Sequence, residues 1–205
     1  MCTFCVVPYT RGRERSRNPE SIINECQQLF SDGYREVTLL GQNVDSYLWY
    51  GGGPKKDFKK ASIEQKEKAI SFANLLDMVA KINNKLRIRF STSNPQDMSD
   101  DVIDVMAQHQ NICNYIHLPV QSGSSRILKL MNRGYNRKEY ISLIDKIKTK
   151  IPDCAISMDM ITGFCTESDI DHQETISLMR YVKYDYGYMF KYSERPNTAA
   201  EKKYN

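Results

Sequence analysis

Val37-Thr38-Leu39-Leu40-Gly41-Gln42-Asn43 is a short apolar run that stops at a glycine and turns polar at once. A β-branched start and a length of only four residues make Val37 to Leu40 a buried strand rather than a helix. Just upstream, Asn18-Pro19-Glu20 sets an N-cap, a proline in the first helical position and an acid in the first turn. Ile22, Ile23, Cys26, Leu29 and Phe30 then recur at helical spacing until Gly33. The segment is therefore a helix running into a strand, with a polar loop at the strand's far end.

The same unit recurs downstream. Phe72, Leu75, Leu76, Val79 and Ile82 mark a helix, and Leu86 to Phe90 a strand. Val102, Ile103 and Met106 mark a helix, and Tyr115 to Leu118 a strand. Two helical pieces, Ile127 to Met131 and Tyr140 to Ile147, flank Asn132-Arg133-Gly134. Ala155 to Ile161 is a strand, Ile176 to Val182 lies in a helix, and Tyr188 to Tyr192 is a last strand. Five strands alternating with helices predict an α/β fold with a parallel sheet or barrel. Polar loops follow the strands in register: Gly41-Gln42-Asn43, Ser91-Thr92-Ser93-Asn94, Gln121-Ser122-Gly123-Ser124 and Thr162-Gly163. In such folds this rim is where sites are built. Residues 46–68 interrupt the pattern. Gly51-Gly52-Gly53-Pro54 is turn chemistry, and Lys55 to Lys68 holds six lysines and three acids, so this reads as a solvated insertion.

Composition sets outer limits. With 205 residues, 40% of them hydrophobic and 26% charged, the chain can bury one sizeable core. Its apolar runs fall far short of the roughly 20 residues of a membrane span, so no membrane partner is expected, and the absence of a secretory signal points to the cytoplasm. A net charge of +4 is compatible with nucleic acid without requiring it.

Six cysteines are too sparse for a disulfide scaffold. Cys26, Cys113, Cys154 and Cys165 read as structural thiols. Only Cys2 and Cys5 form a C-x-x-C pair. That pair is part of a larger metal set whose other ligand lies upstream, or redox-active, or half of a zinc site. His109, His117 and His172 are isolated along the sequence and read as surface or core residues.

Cys2-Thr3-Phe4-Cys5-Val6-Val7-Pro8-Tyr9-Thr10-Arg11-Gly12-Arg13-Glu14-Arg15-Ser16-Arg17 resembles the end of a radical-SAM cysteine motif, and specifically that of the methylthiotransferases. Further matches follow in the family's order: Leu39-Leu40-Gly41-Gln42-Asn43-Val44, His117-Leu118-Pro119-Val120-Gln121-Ser122-Gly123-Ser124, Met131-Asn132-Arg133-Gly134-Tyr135 and Tyr192-Ser193-Glu194-Arg195-Pro196-Asn197-Thr198-Ala199-Ala200. The resemblance implies a partial TIM-like radical-SAM barrel with five of about six parallel strands, the first missing. It implies one domain over residues 1–205, an internal fragment that lacks the family's N-terminal auxiliary-cluster domain and C-terminal RNA-binding domain and is inactive alone. Phe164-Cys165 stands where the family usually has a proline after the phenylalanine.

By the same resemblance, Cys2 and Cys5 match the second and third cysteines of C-x-x-x-C-x-x-C, the ligands of a [4Fe–4S] cluster. Thiolates suit such a cluster, and three of them leave one iron open for the amino and carboxylate groups of S-adenosylmethionine. Around that ligand, Gln42 and Asn43 would meet its amino group, Gln121 and Ser122 its ribose, and Arg133 its carboxylate, with Asp159 a further site residue or a core hydrogen bonder. Arg11, Arg13, Arg15 and Arg17, alternating along an extended segment, would reach RNA phosphates. The implied activity is methylthiolation of C2 of N6-isopentenyladenosine next to the anticodon of tRNA. A second, auxiliary cluster belongs to the full-length family, with flavodoxin or ferredoxin as electron donor. The alternatives are a sister enzyme acting on threonylcarbamoyl-adenosine or on a ribosomal-protein aspartate, an inactive RNA-binding module, and a C-x-x-C redox protein.

Overall fold

A computed structural model describes residues 2–204. Helix α1 (Val7–Arg11) and helix α2 (Pro19–Ser31) lead to strand β1 (Glu36–Leu40). Asn18 caps α2 as the sequence requires, its side chain accepting the Glu20 N–H at 2.9 Å. Strands β2 (Leu48–Trp49) and β3 (Ile70–Ser71) pair antiparallel and close off the insertion, which holds a 3-10 turn over Lys55–Lys60 and helix α3 (Ile63–Glu67). Then come α4 (Phe72–Ala80), β4 (Arg87–Ser91), α5 (Asp100–Gln108), β5 (Tyr115–His117), α6 (Ser125–Leu130), α7 (Arg137–Lys150), β6 (Ala155–Thr162), α8 (Asp169–Val182), β7 (Tyr186–Lys191) and α9 (Ala199–Tyr204).

β1 pairs with β4, and β5 with β6 and β6 with β7, all parallel. A bridge from Ile88 to Ile112 and the Ser93 N–H bond to the His117 carbonyl (3.1 Å) join the two groups. The five expected parallel strands thus lie in the order β1-β4-β5-β6-β7 among the described residues, with helices on one side.

Strand alternation puts Val37, Ile88, Phe90, Ile116, Ile156, Met158 and Met160 against the helices. They share one core with Leu76, Val79, Ile103, Tyr140 and Ile144, all of these nearly or wholly buried. The opposite face stays concave and open. Two expectations change here. β1 is not buried throughout: Val37 is covered, but Leu40 is 78% exposed, because β1 pairs on one side only and its alternate residues face the hollow. The last strand starts two residues and ends one residue earlier than its apolar pattern suggests, and most of its side chains are exposed. The insertion carries secondary structure of its own, because Ser62 forms a capping box that starts α3, and Ser71 does the same for α4 just after it.

Candidate functional site

The turn Cys2–Cys5 is clamped at the C-terminal mouth of the sheet. Thr3 N–H donates to the Met131 carbonyl and Thr3 Oγ1 to that of Leu130, both at 3.0 Å, while Thr3 O accepts from Ala200 N–H at 2.9 Å. The end of α6 and the start of α9 therefore hold the two thiols in place, and Cys5 N–H closes the turn on Cys2 O at 3.2 Å. Phe4 between them packs edge-on against Phe164 in a small second core with Ile127, Met131 and Ala200. Cys165 joins that packing, as the sequence reading of a structural thiol anticipates.

Arg133 comes directly to this turn. Its Nη1 donates to Cys2 Sγ at 3.1 Å, its Nη2 to the Pro119 carbonyl at 3.1 Å, and its Nε to Tyr135 Oη at 2.9 Å. The guanidinium also stacks over the Tyr135 ring. From Arg133 the rim continues through Asn94, whose Oδ1 lies 3.5 Å from Nη2 and whose N–H donates to Asp45 at 3.2 Å. Asp45 is 7% exposed, and burial pushes its carboxyl up to about 7. Asn43 Nδ2 donates to Asp97 at 2.7 Å. The Oδ1 of Asn43 is buried without a partner among the described residues, an acceptor in need of a donor.

The expected ligand residues divide accordingly. Cys2, Cys5, Asn43 and Arg133 are linked along one rim, Gln42 is exposed on it, and half-buried Gln121 follows β5 with a φ of +74°. Ser122 is a correction. It is fully buried, accepting from Ser124 N–H at 3.1 Å and lying beside Thr175 of α8, so it holds the loop down rather than meeting a ribose. The adjoining Gly123 has room for nothing larger, since an added Cβ would sit 2.5 Å from Thr175 Cα.

Asp159 is not a lone acid in an apolar strand. It faces the hollow, 3.5 Å from His117 Nε2. His117 Nδ1 and Tyr115 Oη both lie 2.8 Å from Ser157 Oγ, and Tyr115 in turn hydrogen-bonds Tyr186. One proton order satisfies the row: Tyr115 donates to Ser157, Ser157 donates to His117 Nδ1, and His117 Nε2–H points at the Asp159 carboxylate. His117 is therefore not isolated, and neither is His109, which meets Asp77 at 2.8 Å. Parallel register builds the row, pairing Tyr115 with Ala155, His117 with Ser157 and Asp159 with Tyr188. The available signal was the polar residue at every second position of both strands.

The four arginines do not form one extended row. Arg11 ends α1, and Arg17 turns back to Glu25 and Ser21 on α2, because those groups lie one helical face away. Arg11, Arg13 and Arg15 remain exposed. Between this segment, α2 and β1 lies a cleft of about 780 Å³, lined by Ile22, Leu29, Leu39 and Phe72 with Gln42 and Asn43 at its edge.

Two thiols in one turn, with a guanidinium on one of them and an unpartnered amide oxygen nearby, suit an iron–sulfur cluster carrying an amino-acid ligand. Among the described residues no third Cys, His, Asp or Glu joins them. Burial pushes up the thiols of Cys26 and Cys113, and takes Cys154 up to about 12.

A sheet of parallel strands with its thiols at the C-terminal mouth defines the class. Residues 1–179 match the Radical SAM superfamily, and the chain belongs to that superfamily, whose cofactors are an iron–sulfur cluster and S-adenosylmethionine. Among its relatives are the tRNA-2-methylthio-N(6)-dimethylallyladenosine synthases of Christiangramia forsetii and Flavobacterium johnsoniae. They are 68% and 65% identical over 203 residues, which is 99% of this chain and 42% of each relative. The chain thus spans about two fifths of the length of the curated relatives it matches. Its fold is also that of a radical S-adenosylmethionine methyltransferase from Kitasatospora setae, solved with cobalamin and a [4Fe–4S] cluster (TM-score 0.65, 13% identity, 93% of this chain and 34% of that one). Coproporphyrinogen III oxidase from Escherichia coli aligns over 100% of this chain and 44% of its own, with a TM-score of 0.59 and 14% identity. No helix among the described residues is long and apolar enough to cross a membrane.

Proposed function

We propose that residues 1–205 are the radical-SAM core of a tRNA methylthiotransferase that places a methylthio group on C2 of N6-isopentenyladenosine next to the anticodon. The observation that carries this reading is the identity of 68% across 203 residues to a relative of that name. The geometry supports it from a second side. Cys2 and Cys5 hold their share of a [4Fe–4S] cluster, and Arg133 fixes the Cys2 sulfur. Asn43 Oδ1 takes a donor from S-adenosylmethionine, and Gln42 and Gln121 stand beside it. When bound, cluster and cosubstrate supply a one-electron cleavage of the sulfonium. This chain's residues orient the partners and keep water out.

The concave face is what the target base meets. Tyr188 and Tyr186 present rings for stacking, and the His117–Asp159 pair presents a hydrogen-bonding edge. Arg11, Arg13 and Arg15 lie at the approach to this hollow and contact tRNA phosphates. A flavodoxin or ferredoxin supplies the electron, and the setting is the cytoplasm.

The test is a nucleoside profile from cells lacking the gene. Loss of the 2-methylthio adenosine with the isopentenyl nucleoside retained is the expected result. An unchanged profile, or loss of a threonylcarbamoyl derivative instead, would overturn the assignment.

A further inference from the structure

The insertion has no part in the site described above, yet it is not independent of it. Its 3-10 turn Lys55–Lys60 is held over the rim by Lys55, which pairs with Asp97 at 3.2 Å, the carboxylate that also accepts from Asn43. Tyr50 steadies the turn from below, donating to Pro54 O at 2.9 Å and packing on Phe58. The arginine segment is tied to the base of the same insertion. Leu48 N–H donates to Ser16 Oγ at 3.0 Å, Tyr47 Oη to the Arg17 carbonyl at 2.8 Å, and Ser46 Oγ to Glu14. The arginine segment is thus anchored on residues 46–48 and the lysine turn on Asp97, the partner of Asn43, so both are fastened around the loop that follows β1.

Their charge is the reason to take them together. Arg11 to Arg17 holds four arginines and one acid, and Lys55 to Lys68 holds six lysines and three acids. Each stretch is net +3 against +4 for the whole chain, so the rest of the molecule is slightly acidic. Part of this charge is spent internally: Arg17 meets Glu25, Lys55 meets Asp97, and Lys68 meets Glu64. Arg11, Arg13, Arg15, Lys56, Lys59 and Lys60 are exposed and have no ion pair among the described residues. Aligning unpaired cations costs self-repulsion, which an opposing polyanion relieves.

We propose that Lys56, Lys59 and Lys60 join Arg11, Arg13 and Arg15 in one two-part cationic surface that grips the phosphate backbone of the RNA whose base enters the hollow. This deepens the tRNA reading and rests on it. A base is covalently tied to the phosphates on either side, so an RNA that delivers a base to the mouth also delivers negative charge to its rim. Long lysine stems on a short turn suit contact with a backbone of any sequence, since they act as point charges rather than as planar readers.

The test compares three triple variants of the enzyme at its full natural length, with fluorescence-labelled tRNA titrated at stepwise salt. They are Lys56→Gln/Lys59→Gln/Lys60→Gln, Arg11→Gln/Arg13→Gln/Arg15→Gln, and a control at the exposed Lys85, Lys138 and Lys183, each to Gln. We expect the first two to weaken binding about tenfold or more near physiological salt and to flatten the slope of log affinity on log salt by about 2 each. The control stays within about twofold of the parent. A lysine variant with the parent's affinity and slope, while the arginine variant loses both, overturns the two-part surface and leaves the tRNA reading intact. A parent enzyme that does not bind tRNA sinks that reading itself. If the lysine variant binds tRNA normally but is reduced more slowly by an acidic flavodoxin, the surface meets an acidic protein and the RNA assignment is wrong.

Discussion

The two faces of the sheet are written by the same strands and obey different rules. On the helix side, Ile88, Phe90, Ile116 and Met160 are shut away from water and best tolerate apolar side chains of similar volume. On the hollow side, Glu36 pairs with Arg89 at 3.2 Å, Ser157 hydrogen-bonds both Tyr115 and His117, and Asp159 lies 3.5 Å from His117. The first face holds the fold by burial. The second contributes little net stability, because each polar group there traded a bond to water for one of similar strength. It holds chemistry in position instead.

That contrast can be broken in order of size. Phe90→Ala empties the centre of the apolar face, where the ring packs edge-on against Phe72. It should cost about 3–5 kcal/mol in denaturant unfolding. A loss below about 1 kcal/mol would mean the helix-side face is not the structural one.

Asp45 tests whether a polar group can be a structural burden. Its carboxyl is held up at about 7 against an ordinary value of 3.8. The folded state thus binds this proton more tightly than the unfolded chain does. The linked stability is full below about pH 4 and is lost as pH rises towards 7. Asp45→Asn removes that dependence, so the variant should gain on the parent between pH 5 and pH 8, by an amount on the order of 2 kcal/mol. Parallel pH curves for the two proteins would refute the assignment.

His117→Gln should cost less than about 1.5 kcal/mol in unfolding, since one row of polar bonds is rearranged and no cavity opens. Its effect on the proposed methylthiolation should be far larger, and equal losses in both would erase the distinction between faces. Tyr188→Ala, with a ring 55% exposed, should leave stability within about 0.5 kcal/mol and weaken substrate binding. An unfolding loss as large as that of Phe90→Ala would place Tyr188 in the core.

Much of the architecture was legible because burial leaves a local trace. The period of Ile22, Cys26 and Leu29 and the run Val37 to Leu40 each place an element without reference to distant residues. The glycine and amide loops likewise fall at the strand ends where the Cys2–Cys5 turn is held. The candidate site was legible in part. Arg133 reaches Cys2, and Asn43 joins the same rim through Asp97 and Asn94, whereas Ser122 points inward because Thr175 and Ser124 claim it. The His117–Asp159 pair escaped because strand register, not sequence distance, sets who faces whom. Helices α1 and α9 escaped too: with five and six residues they are too short to show a period, and α9 earns its place by bonding Thr3.

The sorting of the thiols gives the molecule built-in reporters. Cys26 is 4% exposed beneath α2, and Cys154 is 7% exposed where β6 begins. A maleimide or iodoacetamide reaches either sulfur only when its element opens, so alkylation followed by mass spectrometry becomes a clock for breathing at two chosen places. Cys26 would time the edge beside the arginine segment, and Cys154 the β5–β6–β7 end of the sheet. If tRNA binding braces the mouth, the Cys26 clock slows while the Cys154 clock keeps its pace.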